Sequence, residues 1–297
     1  MTLSMPILWA ALGEVIFERS GVLNIGIEGV MVFGAFGAAM GIRYSDNNLY
    51  IGLLGGVLSG VVSGFVLGIV YVTLGLDQIV SGIMINVFVI AITGALYTKY
   101  LPIGVASTLP DIELPLLSDI PRIGEILFQH NVLVYAAFAL VPVVWYLMSR
   151  TWFGLYARAA SELPYAVESS GVDVLRIRYV AVMLGSILQA IGGAAIVLTT
   201  SGSFAVGLTS GRGFIALAVV VLARWNPFWA LAGCLLFGVT QALQFQIDNI
   251  PVLEDVPSDF VLALPYIVTL VAVVLARSTR YPAACGVPYR RPGMARA

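Results

Sequence analysis

A carboxylate lies inside an apolar stretch of this sequence, where a membrane or a protein core would be expected. Residues Gly21–Gly34 read GVLNIGIEGVMVFG, with Asn24 and Glu28 as the polar members. A carboxylate at the centre of a spanning helix costs about 2.5 to 3.5 kcal/mol on insertion scales, so it persists where it faces protein or a polar pathway. Three glycines in the same stretch let the backbone leave helical geometry: Gly21, Gly26 and Gly29. The segment therefore predicts a broken helix beside a polar path.

The composition indicates an integral membrane protein. Of the 297 residues, 60% are hydrophobic and only 10% are charged, too few to cover the surface of a soluble domain. The net charge of −1 argues against nucleic-acid binding, and one histidine with two distant cysteines, Cys234 and Cys285, excludes a zinc cluster. We expect both thiols to be free, no metal site, no catalytic residues and no removable signal peptide.

The hydropathy pattern predicts an all-α fold of about eight to ten transmembrane helices in one polytopic domain over 1–297. Nine apolar segments are expected, and two of them, the first and the seventh, are too short to cross a core of ~30 Å unaided. These two should be tilted, broken or re-entrant. The nine segments are 3–17, 22–41, 50–75, 78–98, 131–149, 177–199, 213–223, 227–246 and 259–276.

The basic residues predict the orientation. If the loop from Arg150 to Arg178 is cytoplasmic, eleven of the 15 basic residues fall on that side, and the tail 277–297 is cytoplasmic too. The two longest outer loops are then acidic. They could receive a docking partner, or they could simply be charged because they are exposed to water.

The cytoplasmic loop at about 150–176 differs from the other loops in length and pattern. Its sequence predicts a short amphipathic helix, which Ala157–Ala160 favour, a second turn opened by Pro164, and an end at Gly171 in the left-handed conformation. Such a connection can transmit a push from a soluble motor. The alternative is a surface helix with no partner.

Four ordered motifs carry a family resemblance over nearly the whole chain. The chain resembles the permease subunits of ABC importers in the branched-chain amino acid, ribose and nucleoside group, and within it the branch that works with nucleoside-binding lipoproteins. It departs from that pattern at its start, where few residues precede the ALGE motif. The motifs are ERSGVLNIGIEG (Glu18–Gly29), RAASELPYA from Arg158, SGRGFIALA from Ser210 followed by RWNP at Arg224, and PAACGVPY from Pro282.

The resemblance implies a type II importer fold with two pseudo-repeats, a heterodimer with a related permease, two cytoplasmic ATPases and an outer lipoprotein. The sequence also indicates that a separate subunit binds ATP. A phosphate-binding loop ends in Gly-Lys-Ser/Thr, and the only lysine of this chain is Lys99, in YTKY. The chain is therefore expected to be a transport subunit without a cofactor of its own. The residues expected to couple it to the ATPase are Arg158, Glu162, Pro164 and Gly171.

Polar and aromatic residues near mid-membrane are the candidates for the substrate path. Discontinuous helices often flank the substrate in transporters, and here they are Asn24–Gly29 and Thr209–Phe214. Arg212 and Glu28 could pair between the two halves, or Arg212 could extend to water as an interfacial anchor. Asn and Gln could bind a nucleoside or merely join helices. The candidates are Asn24, Glu28, Gln78, Asn86, Gln189, Arg212 and Phe214.

Other functions remain open from the sequence. The main alternative is a permease for simple sugars in the same group of importers. A proton-coupled carrier would need ionisable residues within its spans. Glu28, with Asp77 near a boundary, offers few groups for a proton relay. An intramembrane enzyme would need a nucleophile and a base, and His130 lies near an outer loop.

Overall fold

The protein is an all-α integral membrane protein, as predicted. A computed structural model describes residues 1–101, 108–113, 129–246 and 281–291, together with positions 267 and 274. Apart from a turn of 3₁₀-helix at Thr2–Ser4, the helices are α1 Met5–Arg19, α2 Ile27–Arg43, α3 Leu49–Leu67, α4 Gln78–Tyr100, α5 Val132–Arg150, α6 Trp152–Glu162, α7 Pro164–Ser169, α8 Val174–Ile196, α9 Arg212–Leu222 and α10 Pro227–Gln246. Strands β1 (Ile112–Glu113) and β2 (Gln129–His130) form a short antiparallel pair.

Five of the described helices are long and apolar enough to cross a membrane. Helices α3 and α8 each end in a turn of π-helix, Gly68–Thr73 and Val197–Ser201, which lengthens the two spans. The mean hydropathy is 2.0 or more in four of the spans and 1.2 in the last. The spans are Leu49–Thr73, Gln78–Tyr100, Val132–Arg150, Val174–Ser201 and Pro227–Gln244.

Eight of the nine predicted segments fall on described helices. The main difference is the second segment, which was expected from residue 22, whereas α2 begins at Ile27. The cause is the predicted break: Gly21 has φ +84°, a left-handed value that ends α1 and turns the chain. The seventh segment is the 11-residue α9, about 16 Å long and too short to span alone. The ninth, 259–276, lies outside the described residues except for 267 and 274.

Side-chain caps explain where several helices begin. Asp77, which the sequence suggested as an ionisable group near a boundary, accepts a hydrogen bond from Val80 N at 2.8 Å and starts α4. Four other helices start in the same way, on Asn48, Asn131, Thr151 and Asp173.

Helix α8 lies at the centre of the bundle and packs closely on α1 and on α2. Small residues make this possible: a Cβ on Gly13 would lie 2.5 Å from Gly185 O, and one on Gly193 would overlap the backbone of Met31. Helices α3 and α4 lie on one side of this centre, and α5, α9 and α10 lie on the other. The break at 20–26 is therefore surrounded by helices.

Candidate functional site

Two amide side chains from α4 stabilise the break between α1 and α2. The Gln78 Oε1 atom accepts a hydrogen bond from Leu23 N at 2.7 Å. Asn86 donates from Nδ2 to Ile25 O at 2.8 Å and accepts at Oδ1 from Gly29 N at 2.7 Å. Non-helical backbone at membrane depth needs such partners, because no water is there to supply them. Gln78 and Asn86 are thus essential to the shape of the break.

A fully buried network lies directly behind the break. Glu14 accepts from Asn24 N at 3.1 Å and from Gln189 Nε2 at 2.7 Å. Asn24 in turn donates from Nδ2 to Gln189 Oε1 at 2.8 Å and accepts from the Tyr71 hydroxyl at 3.3 Å. Glu14, Asn24 and Gln189 have no exposed surface. The network joins α1, α8 and the π-helical turn after α3 to the broken segment.

Two further buried carboxylates lie in α1, so the expectation that Glu28 is the ionisable residue within the spans was incomplete. Glu14 and Glu18 lie one turn apart on α1 and are both completely buried. Glu18 accepts a hydrogen bond from Trp225 Nε1. The signal was present in the sequence, because Glu14 interrupts the first apolar segment and Glu18 follows four residues later on the same helix face.

Glu28 connects the broken segment to α9. Its Oε1 atom accepts from the Thr209 hydroxyl at 2.5 Å and from Gly211 N at 2.8 Å, and its Oε2 atom accepts from Gly213 N at 2.7 Å. The start of a helix presents free N–H groups and a positive dipole end, both of which favour a carboxylate. Glu28, only 6% exposed, is therefore the N-terminal cap of a helix from the other half of the chain.

The two discontinuous segments thus meet, but not through an Arg212–Glu28 ion pair. The Arg212 guanidinium instead donates to Leu208 O at 3.0 Å, within its own turn, and an ion pair with Glu28 is not found among the described residues. Phe214, two residues after Arg212, is 47% exposed. Backbone N–H groups, not the arginine, satisfy the buried carboxylate.

The seven predicted path residues divide by environment. Five are buried and hydrogen-bonded within the chain, and two, Arg212 and Phe214, lie partly exposed at the start of α9. The buried five are Asn24, Glu28, Gln78, Asn86 and Gln189. Their role in a substrate path stays a prediction.

The predicted coupling loop forms two helices, α6 and α7. Pro164 is the first residue of α7, and Gly171 follows that helix with φ +86°, as expected. Arg158 donates from Nε to Gly154 O at 3.2 Å, and Glu162 Oε2 accepts from Ala283 N at 3.4 Å. Exposed apolar side chains project from this end of the bundle: Trp152, Leu155, Leu163 and Tyr165.

A cluster of ion pairs lies where α7 meets α8. Arg291 pairs with Glu168 at 2.8 Å and with Asp173 at 2.7 Å, and Asp173 also pairs with Arg176 at 3.1 Å. Partial burial of Asp173 opposes the shift, but the hydrogen bonds from Arg176 N and Arg291 and the two positive charges lower its pKa below the ordinary value. Asp173 is therefore charged at neutral pH and holds the tail residue Arg291.

A bundle of apolar helices with a broken, polar and hydrogen-bonded centre defines a polytopic membrane transport protein. Residues 1–274 match the family described as the branched-chain amino acid transport system / permease component, and the chain belongs to this permease family. It is a multi-pass protein of the plasma membrane and a transport subunit.

Three relatives are similar over most of their length. The guanosine ABC transporter permease protein NupQ of Bacillus subtilis is 34% identical over 96% of this chain and 92% of that protein. The nucleoside ABC transporter permease protein NupC of Lactococcus lactis is 32% identical over 96% and 93%. The putative glucose ABC transporter permease protein TsgC13 of Haloferax volcanii is 33% identical over 84% and 76%. No solved structure matches the chain.

Proposed function

We propose that this chain is the membrane permease subunit of an ATP-driven importer and carries nucleosides. The observation that supports this best is its similarity, over nearly its full length, to relatives named as guanosine and nucleoside permeases. The broken segment between α1 and α2, joined through Glu28 to the short α9, supports a translocation path at the centre of the bundle.

The substrate path is proposed to run beside this junction. Phe214 offers an exposed ring that can stack on a base, and Arg212 lies next to it. Gln78 offers an additional donor, because its Nε2 atom has no hydrogen-bond partner among the described residues while its Oε1 atom supports the break. Asn24, Asn86, Gln189 and Glu28 hold the walls of the path in place.

The proposed partners bind this chain at the two faces of the membrane. We place α6, α7 and the carboxyl terminus in the cytoplasm, because the loop from Arg150 to Arg178 lies on the side with most of the basic residues. An ATPase subunit binds there and supplies the energy of ATP hydrolysis, since this chain has no phosphate-binding loop. A second, related permease completes a heterodimer, and a lipoprotein delivers substrate to the outer face.

A simple-sugar permease is the second candidate function. The observation in its favour is the 33% identity to the putative glucose permease of Haloferax volcanii. That match covers less of this chain than the two matches to nucleoside permeases, 84% against 96%. We therefore favour a nucleoside over a sugar as the substrate of this chain.

Uptake into cells tests both candidates. The chain is expressed with its genomic neighbours, and uptake of labelled guanosine, other nucleosides, glucose and ribose is measured, with and without substitution of the Walker lysine of the ATPase. We expect nucleoside uptake that disappears with the lysine substitution. Sugar uptake that depends on the same lysine would favour the second candidate. Uptake that survives the substitution would contradict an ATP-driven importer.

A further inference from the structure

Arg178 is a buried cation whose partners lie in the carboxyl-terminal tail. It belongs to the second turn of α8 and is 1% exposed. Its guanidinium donates to Val287 O at 3.1 Å and to Ala284 O at 3.5 Å, and it lies 5.8 Å from the centre of the Tyr289 ring. Among the described residues it makes no ion pair within 4.0 Å, and a buried charge needs compensation from acceptors. Tail carbonyls supply that compensation.

The same tail residues also bind α6. Ala284 N donates to Ser161 O at 2.8 Å, and Ala283 N donates to Glu162 Oε2 at 3.4 Å. A turn over 283–286 makes this possible, since Gly286 takes φ +78°. One short turn therefore offers its N–H groups to α6 and its carbonyl groups to Arg178 of α8.

Contacts to α7 complete the attachment. The Tyr289 ring, 4% exposed, packs on Tyr165 with the ring centres 5.1 Å apart. Arg291 then pairs with Glu168 at the end of α7 and with Asp173 at the start of α8. The tail touches each of α6, α7 and α8 through polar or aromatic contacts.

We propose that residues 281–291 form a strap that fixes α6 and α7 to the transmembrane core, with Arg178 as the positioning residue that anchors it. The proposal rests on the proposed function, in which the ATPase acts on α6 and α7. A displacement of these helices then reaches Arg178 through the tail. Helix α8 carries it onward, because Gln189 of the central network lies eleven residues, or about 16 Å, further along the same helix.

The native Cys285 reports directly on the strap. Burial, together with the Glu18 and Glu14 carboxylates, raises the pKa of the Cys285 thiol above its usual range, although Arg178 opposes this shift. Release of the strap removes the burial and increases the thiolate fraction. The other cysteine, Cys234, is completely buried in α10 and serves as an internal reference.

The first test measures maleimide labelling of Cys285 in membranes for Arg178→Met. The matched control is Arg176→Met, which removes the same charge from the same helix at a side chain that is 86% exposed. We expect labelling to be at least about tenfold faster in Arg178→Met, since hydrogen bonds to a charged group contribute more than a tenfold change in equilibrium. The control should label like the native chain. Equal labelling in Arg178→Met would overturn the anchoring role.

A second variant keeps the test decisive if Arg178→Met does not accumulate in membranes. Arg291→Ala removes the ion pairs to Glu168 and Asp173 from a partly exposed position and should fold. We expect Cys285 to be labelled faster than in the native chain and more slowly than in the native chain denatured in SDS, where the thiol is fully exposed. Labelling of Arg291→Ala at the native rate would overturn the strap.

Coupling is measured in the reconstituted complex as substrate taken up per ATP hydrolysed. A released strap should lower this ratio by about tenfold while ATP hydrolysis continues, which a general loss of folded protein would not do. An unchanged ratio despite fast labelling would overturn the positioning role. If the native complex shows no ATP-dependent uptake, the proposed function fails, and the labelling result still decides whether Arg178 anchors the tail.

Discussion

At the scale of single residues, the central feature is that Glu28 receives three hydrogen bonds from one helix start. A hydroxyl and two backbone N–H groups surround its carboxylate, at 2.5 to 2.8 Å. Each oxygen is an acceptor only, and each donor is buried or half-buried. Substitutions should therefore act according to how many donors they leave unpaired.

Glu28→Gln should destabilise the protein more than Thr209→Val. The carboxamide keeps the shape but its nitrogen cannot accept, so an N–H of Gly211 or Gly213 loses its partner, which costs about 1 to 3 kcal/mol. Thr209→Val removes one donor and leaves the Glu28 Oε1 atom with Gly211 N, at a cost of about 1 kcal/mol or less. Thermal unfolding in detergent measures the two losses. The reverse order would contradict the capping role.

Gly213→Ala should also break this junction, for a steric reason. The new Cβ would lie 2.7 Å from Glu28 Oε2 and 2.9 Å from its backbone nitrogen. Overpacking of this kind costs about 1 to 3 kcal/mol. The control is Gly94→Ala, whose Cβ would meet only Val206, at 3.6 Å or more. Fluorescence-detected size exclusion after heating compares the two variants, and equal stability would refute the close approach.

At the scale of elements, the short helices carry the specialised roles. Helix α9, with 11 residues, begins inside the bundle, where Glu28 caps its first turn. Helices α6 and α7 lie at the end of the bundle that is proposed to be cytoplasmic, and their apolar side chains are exposed. In α6 the buried residues Gly154, Ala157 and Ser161 face one side, and Trp152 and Leu155 face another. This amphipathic pattern leaves an outer face for a partner.

Leu163→Glu should weaken ATPase binding without affecting the fold. Leu163 is 68% exposed between α6 and α7, so the change removes little internal packing. The control introduces the same charge at Val206, an apolar side chain that is 56% exposed in the loop before α9. Co-purification of the ATPase measures binding. Retention of the ATPase by Leu163→Glu, or its loss in the Val206 control, would argue against this surface.

Replacement of residues 157–162 by a Gly/Ser linker is a stronger change in the same element. It removes α6 residues that pack on the core and the Ser161 carbonyl that binds the tail. We expect transport to be abolished while the protein stays in the membrane, as measured by uptake and by membrane abundance. Retained transport would show that α6 is not needed for coupling.

At the scale of the whole molecule, the strap ties the last described residues to the basic end of the bundle. Asp173 contributes to this through Arg291. Because the pKa of Asp173 is lowered in the folded state, its contribution is complete above its ordinary pKa and is lost as the pH falls through the lowered value. The attachment should therefore be insensitive to pH near neutrality.

The proposed orientation predicts opposite labelling of the two ends. In a Cys285→Ser background, cysteine at Tyr44, which is 68% exposed after α2, should react with a membrane-impermeant maleimide in intact cells. Cysteine at the exposed Ser170, after α7, should react only after permeabilisation. The reversed result would invert the topology and place the ATPase at the other end.

The sequence by itself determined the class of protein, the approximate spans, the break near Gly21 and the turn chemistry of Pro164 and Gly171. These features depend on local composition, on hydropathy and on backbone preferences, which act over a few residues. It also indicated Asn24–Gly29 and Thr209–Phe214 as the discontinuous segments. Local signals were sufficient for all of this.

Only the tertiary structure decided which buried polar groups form hydrogen bonds with one another. Glu28 and the start of α9 are more than 180 residues apart, and Arg178 and Val287 are 109 apart. The local sequence around Glu28 does not show whether its partner is an arginine or three hydrogen-bond donors. The local sequence around Glu14 does not show that this residue faces Gln189 across a helix contact. In a medium without water, each buried polar group must find its partner within the protein, and packing of distant helices selects that partner.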